Sequence, residues 1–164
     1  MKKLFWLVIC GLALLITTPS QARAQAGVKT GSEVVRDPDL EKDSKHNLEV
    51  ARQYFKLKKA YVAALMRCEE VKAGYPDFSK IDEILFMAGE SSLNLAAAKG
   101  KQSPSLYVIH DGNEKHTLTP QEFREKARDY LSELVNNHPD SPFRPQAEED
   151  LKELGGPKPK ESKQ

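Results

Sequence analysis

The stretch Tyr61-Val62-Ala63-Ala64-Leu65-Met66-Arg67-Cys68-Glu69-Glu70-Val71-Lys72-Ala73-Gly74-Tyr75-Pro76 reads as one amphipathic helix with a marked end. Tyr61, Ala64, Leu65, Cys68 and Val71 recur at helical spacing and form an apolar stripe, Gly74 stops the helix, and Pro76 lies just beyond the stop. A second stretch repeats the pattern. Arg124, Ala127, Leu131, Leu134 and Pro139 stand at the same spacings as Tyr61, Ala64, Cys68, Val71 and Pro76, and His138-Pro139-Asp140 mirrors Tyr75-Pro76-Asp77. In each copy a small alanine lets a neighbouring helix approach, and large apolar residues one and two turns later fill the gap. The proline then ends the helix and sets the turn into the next.

Working outward, the periodicity predicts further helices. One spans about Leu40 to Leu57, with Leu48, Ala51 and Phe55 on one face, and the quoted helix itself runs from about Lys59 to Ala73. Another covers about Lys80 to Ala98. A fourth starts where Thr119 caps, Pro120 takes the first helical position and Glu122 the third, and carries Phe123, Ala127, Tyr130, Leu131 and Leu134. A short fifth runs from about Phe143 to Leu154. Between the third and fourth, Leu106-Tyr107-Val108-Ile109-His110 is rich in strand formers, Asp111-Gly112 signals a turn, and Lys115 to Leu118 can pair back. Two strands alone are marginal, so this hairpin must rest on the helices. The expected fold is all-α: a short α-solenoid of antiparallel helix pairs over residues 40–154, with residues 99–118 inserted as a loop and hairpin.

The helix spacing, with Ala51-x-x-Tyr54-Phe55, Lys59-x-Tyr61-x-x-Ala64 and Tyr75-Pro76-x-Phe78-Ser79, resembles the second helix and closing proline of a tetratricopeptide repeat. It is most similar to the BamD (YfiO) group of periplasmic outer-membrane assembly lipoproteins and to the YbgF/CpoB envelope proteins. The resemblance covers about Leu48 to Leu154 and implies a scaffold that binds protein partners in the envelope, at the periplasmic face of the outer membrane. Tyr61, Ala64, Pro76, Ala127, Leu131 and Pro139 would be its repeat-packing residues. The chain also departs from that group. It has room for about two and a half repeats, and its second repeat is split by Lys99 to Leu118. Lys56-Leu57-Lys58-Lys59-Ala60 offers no clear helix break, so Leu40 to Ala73 is also readable as one long helix dimerising as a coiled-coil spacer. The apolar register slips near Lys58, which argues against that rod.

The ends read differently. Lys2 and Lys3, the apolar run Leu4 to Ile16 and the small-x-small site Ala22-Arg23-Ala24 form a secretory signal pattern, expected to be cleaved after Ala24. The apolar run is too short to span a bilayer. Cys10 lies inside it behind Ile9, a poor lipidation site. Residues 25–39 are polar and aperiodic and read as a flexible linker; residues 155–164, with Gly155, Gly156, Pro157 and Pro159, read as a disordered tail. The formal charge is +1, with 25 basic and 24 acidic residues, and losing Lys2, Lys3 and Arg23 with the signal leaves the acids in slight excess. No basic field points to nucleic acid. Cys68 is left without an internal disulfide partner, so packing must hold the exported domain.

The residues suggest no chemistry of bond making. There is no phosphate-binding glycine loop, no His-x-x-x-His and no Cys-x-x-Cys. No metal or other cofactor is expected. His110 and His116 facing each other across the hairpin lack a third ligand, and Asp111-Gly112-Asn113-Glu114 is too short for a calcium loop. Glu69, Glu70, Asp82, Glu83 and Glu90 read as a solvated helix face. Tyr107, Val108 and Ile109 are the candidate partner-binding residues, as an exposed strand edge for a partner's extended segment. The reading is a periplasmic adaptor, not an enzyme, whose few repeats leave room for dimerisation to add order.

Overall fold

Asp37 starts the first helix. Its Oδ1 accepts the amides of Asp39 at 2.9 Å and Leu40 at 3.2 Å, and Pro38 takes the first helical position. In this computed structural model, which describes residues 36–112 and 114–160, helix α1 (Pro38–Arg52) thus begins inside the expected linker. The expected export signal, residues 25–35 of that linker and residues 161–164 lie outside the described residues. Ser44, Leu48 and Ala51 form the buried face of α1.

At Gln53–Lys58 the helix widens into a π-helical segment and ends at Lys59, whose φ of 49° is left-handed. The amides of Lys59 and Ala60 both return to the Tyr54 carbonyl. The wide turn absorbs the slip in apolar register and lets Phe55 meet Tyr61 edge-on, with ring centroids 5.4 Å apart. Helix α2 (Tyr61–Gly74) then packs back on α1. The continuous helix from Leu40 to Ala73 does not form, and the rod of a coiled-coil spacer goes with it.

Helices α3 (Ile81–Ala96), α4 (Pro120–Asn137) and α5 (Arg144–Glu153) follow, and each helix packs on the next in sequence. The expected capping box opens α4: Thr119 Oγ1 accepts the Glu122 amide and the Glu122 carboxylate accepts the Thr119 amide. The internal repeat is visible in the backbone. The amide of Tyr75 returns to Val71, Phe78 to Tyr75 and Ile81 to Phe78. At one constant offset, His138 returns to Leu134, Ser141 to His138 and Arg144 to Ser141. Buried positions repeat with it: Ala64 with Ala127, Cys68 with Leu131, Ile84 with Ala147, Ala88 with Leu151. Pro76 and Pro139 both stand in the exposed turns, as expected. The fold is therefore all-α, made of packed helix pairs with one small hairpin.

Side chains also link alternate helices. Arg52 on α1 grips Glu83 on α3 through two parallel bonds, and Phe143, just before α5, stacks on Phe86 of α3 with centroids 4.9 Å apart. Lys72 on α2 pairs with Glu133 on α4 at 2.6 Å. The core runs through the middle, with Leu65, Phe78, Ile84, Leu85, Phe123 and Leu131 fully buried. α3 and α4 approach closely at Gly89: a Cβ there would stand 2.6 Å from Leu131 Cδ2. Ala64 and Ala127 are completely buried as expected, and this further close contact uses a glycine that the repeat pattern did not single out.

The insertion is a clamp, not a loose loop. α3 ends with Ala98 at φ 50°, and the amides of Ala98 and Lys99 return to Leu95 and Asn94. Gly100, at φ 94°, lies so close to the corner between α1 and α2 that a Cβ would meet the Lys59 carbonyl at 2.5 Å. The Lys101 amide donates to that carbonyl at 2.9 Å, and the Gln102 side chain accepts the Ala63 amide at 3.0 Å. Helix α2 has no N-cap side chain of its own, so Gln102 supplies one from across the fold. A 3-10 turn (Pro104–Leu106) leads into strands β1 (Val108–Asp111) and β2 (Glu114–Thr117), paired antiparallel.

At the C-terminus, Gly155 (φ 88°) closes α5 and the Gly156 amide returns to the Leu151 carbonyl at 2.7 Å. The segment beyond was expected to be disordered from residue 155. As far as residue 160 it instead lies along α4, because α4 offers hydrogen-bonding side chains to its main chain. No helix of the described residues is long and apolar enough to cross a membrane.

Candidate functional site

The hairpin is held to the helices by one carboxylate. Glu69 lies midway along α2, on the side that faces α4 and the insertion. Tyr107 follows the 3-10 turn and donates its hydroxyl to Glu69 Oε1 at 2.8 Å and Oε2 at 2.9 Å. Tyr130 on α4 donates to Oε1 at 2.8 Å, and Lys126, one turn earlier, brings Nζ to 2.7 Å from the same oxygen. Lys126 also lies over both rings, 5.4 Å from the centroid of Tyr107 and 5.5 Å from that of Tyr130. The Tyr107 ring leans on buried Phe123, 5.6 Å away. Lys72 covers the other side of Tyr130 at 5.2 Å, and Glu69, Lys72, Ala73 and Tyr130 line a hollow that is open to solvent.

This arrangement is an anchor of neutral donors on one carboxylate. Burial first, and the Glu69 charge second, push the hydroxyls of Tyr107 and Tyr130 far above the ordinary tyrosine range, so both stay neutral donors. Cys68 beside them is fully buried, and burial raises its thiol in the same way, which removes it as a nucleophile.

Of the three expected partner-binding residues, Tyr107 is buried and committed to Glu69, a correction to its reading as a free edge residue. Val108 is exposed, and Ile109 is half-buried against the core. A strand former after a turn was legible; the acceptor waiting for its hydroxyl was not. The two hairpin histidines do not face each other. The register pairs Ile109 with His116 and His110 with Lys115, so the two imidazoles project to opposite faces of the hairpin. Among the described residues no three His, Cys, Asp or Glu side chains gather as a metal site.

The five carboxylates expected on a solvated face have different fates. Glu70 is exposed and pairs with Arg67 on its own helix. Asp82 accepts from Ser141 at 2.8 Å, Glu83 holds Arg52, and Glu69 is the anchor just described. Glu90 on α3 is half-buried against α5, where Gln146 donates to it at 3.4 Å and the Asp150 carboxyl faces it. Burial first, and then the Asp150 carboxyl, push Glu90 up to about 7, and the buried Asp150 Oδ2 has no donor among the described residues. An Asp on α5 gives no sequence signal of the Glu it meets on α3. Comparison with family models, with curated proteins and with solved structures finds no match for this chain.

Proposed function

We propose that this chain is an exported periplasmic scaffold, built as a short solenoid of tetratricopeptide-like helix pairs, that binds protein partners of the cell envelope by recognition alone. The observation that carries the reading is the doubled helix–turn–helix: α2 to α3 and α4 to α5 share their turn hydrogen bonds and their buried positions at one offset. Pairs that repeat in this way can stack and leave an open face for a partner. The insertion adds contact surface. Leu106 and Val108 are exposed apolar residues at the hairpin. Met66, also exposed, lies on α2 between Ala63, which Gln102 holds, and Glu69, which Tyr107 holds. These three residues, and not Tyr107, are the ones offered to a partner. Strand β2 is exposed throughout, and the sheet has only two strands, which suits pairing with an extended segment. The BamD resemblance suggests outer-membrane protein assembly as the setting.

A photo-crosslinking residue placed in cells at Met66 or Val108, with exposed Glu149 on α5 as the control position, tests the reading. The expected result is one discrete envelope-protein adduct from the first two positions and none from the third. Equal smearing from all three positions, or a cytoplasmic protein still carrying residues 1–24, would remove it.

A further inference from the structure

Arg128, Ser132 and Asn136 follow one another every four residues and so line a single strip of α4. All three bond to the main chain of the C-terminal segment. Arg128 donates through Nε to the Gly156 carbonyl at 2.7 Å and through Nη2 to the Gly155 carbonyl at 3.3 Å. Ser132 Oγ accepts the Lys158 amide at 2.8 Å, and Asn136 Nδ2 donates to the Lys158 carbonyl at 2.9 Å. Side-chain recognition falls chiefly on Lys158. Its ammonium pairs with Asp129 and lies 3.7 Å from Glu125.

The segment suits this strip by its shape. Pro157 and Pro159 have fixed φ and no amide hydrogen, and Pro159 keeps Lys158 before it extended. Lys158 therefore turns both its amide and its carbonyl to the strip in one conformation. Ser132 is buried beneath it at 3% exposure, a polar side chain whose partner is a main-chain amide of another segment. A surface that bonds to backbone and selects one cation reads extended shape and a lysine, and little else of the sequence it holds.

We propose that the Arg128–Ser132–Asn136 strip of α4 is a docking surface for a partner's extended segment bearing a proline-flanked lysine, and that residues 155–160 occupy it in cis until that segment displaces them. Charge complementarity selects this occupant, since Asp129 and Glu125 flank the position of the lysine. The tether suits displacement: Gly155 and Gly156, both at positive φ while docked, regain more backbone freedom on release than any other residue would. The strip is separate from the hairpin surface and stands whether or not a partner binds there.

A labelled peptide of residues 155–160 is the probe, with binding read by fluorescence anisotropy on the intact chain and on a chain ending at Gly156. The expected result is binding at least about ten-fold tighter to the shortened chain, lost by about ten-fold or more on Ser132→Val or Asn136→Leu. A peptide carrying Lys158→Glu should not bind. Should the shortened chain fail to fold, the intact Lys158→Glu chain serves instead, because Asp129 and Glu125 then repel its own tail; the unaltered peptide should bind this variant more tightly than the parent. No binding to either altered chain, or binding indifferent to Ser132→Val, overturns the proposal and leaves the tail a purely structural terminus. A concentration-dependent dimer of the intact chain in sedimentation, lost on ending it at Gly156, overturns it in favour of tail exchange between two copies.

Discussion

Glu69 gathers two hydroxyls and an ammonium on one partly buried carboxylate, so removing it and removing one of its donors differ in size. Glu69→Ala leaves Tyr107, Tyr130 and Lys126 without their acceptor and should cost about 2–4 kcal/mol. Tyr107→Phe leaves Glu69 with two partners and should cost about 1 kcal/mol. The double variant should fall short of the sum, because both changes break one network. Urea denaturation measures all three; a Glu69→Ala loss no larger than that of Tyr107→Phe would count against the anchor. At this scale the sequence revealed Ala64, Ala127, Thr119 and the two prolines, whose roles depend on near neighbours. It hid Glu69, whose partners lie 38 and 61 residues away along the chain.

Between elements, the Glu90–Asp150 contact makes the α3–α5 seam sensitive to pH. A carboxyl whose folded value is raised from 4.5 to about 7 favours the folded state fully below pH 4.5, and that contribution is lost as the pH climbs through 7. The protein should therefore lose stability between pH 5 and pH 8. Discounted for the solvent that reaches Glu90, the loss is about 1–2 kcal/mol. Glu90→Gln should flatten this trend and raise the melting temperature at pH 8, and an unchanged pH profile would show that Glu90 is not the group responsible. Lys99 and Gln146, the other groups facing Glu90, favour its charged form and work against the effect without cancelling it. Element positions were legible where punctuation is local, as at Gly74, Thr119 and Gly155. The break at Lys59 was legible only as a slip in apolar register near Lys58, since Lys56 to Ala60 all favour helix; the packing of Phe55 on Tyr61 rewards the turn.

Across the whole molecule, α3 is the central element, packed on both α2 and α4 and with buried residues along its length from Ile81 to Leu95. Its amides should be the slowest in native-state hydrogen exchange, with those of Glu114 to Thr117, exposed in β2, among the fastest. Faster exchange in α3 than in α1 would contradict this centre. The sequence by itself determined the helices, their doubled pattern and the hairpin, because periodicity, caps and turn residues act over a few positions. Only the tertiary structure decided that the insertion clamps the α1–α2 corner, that Glu69 anchors it, that Glu90 meets Asp150 and that the tail docks on α4. Each of these joins groups far apart in the chain, and their attraction exists only once packing has brought them together and excluded water.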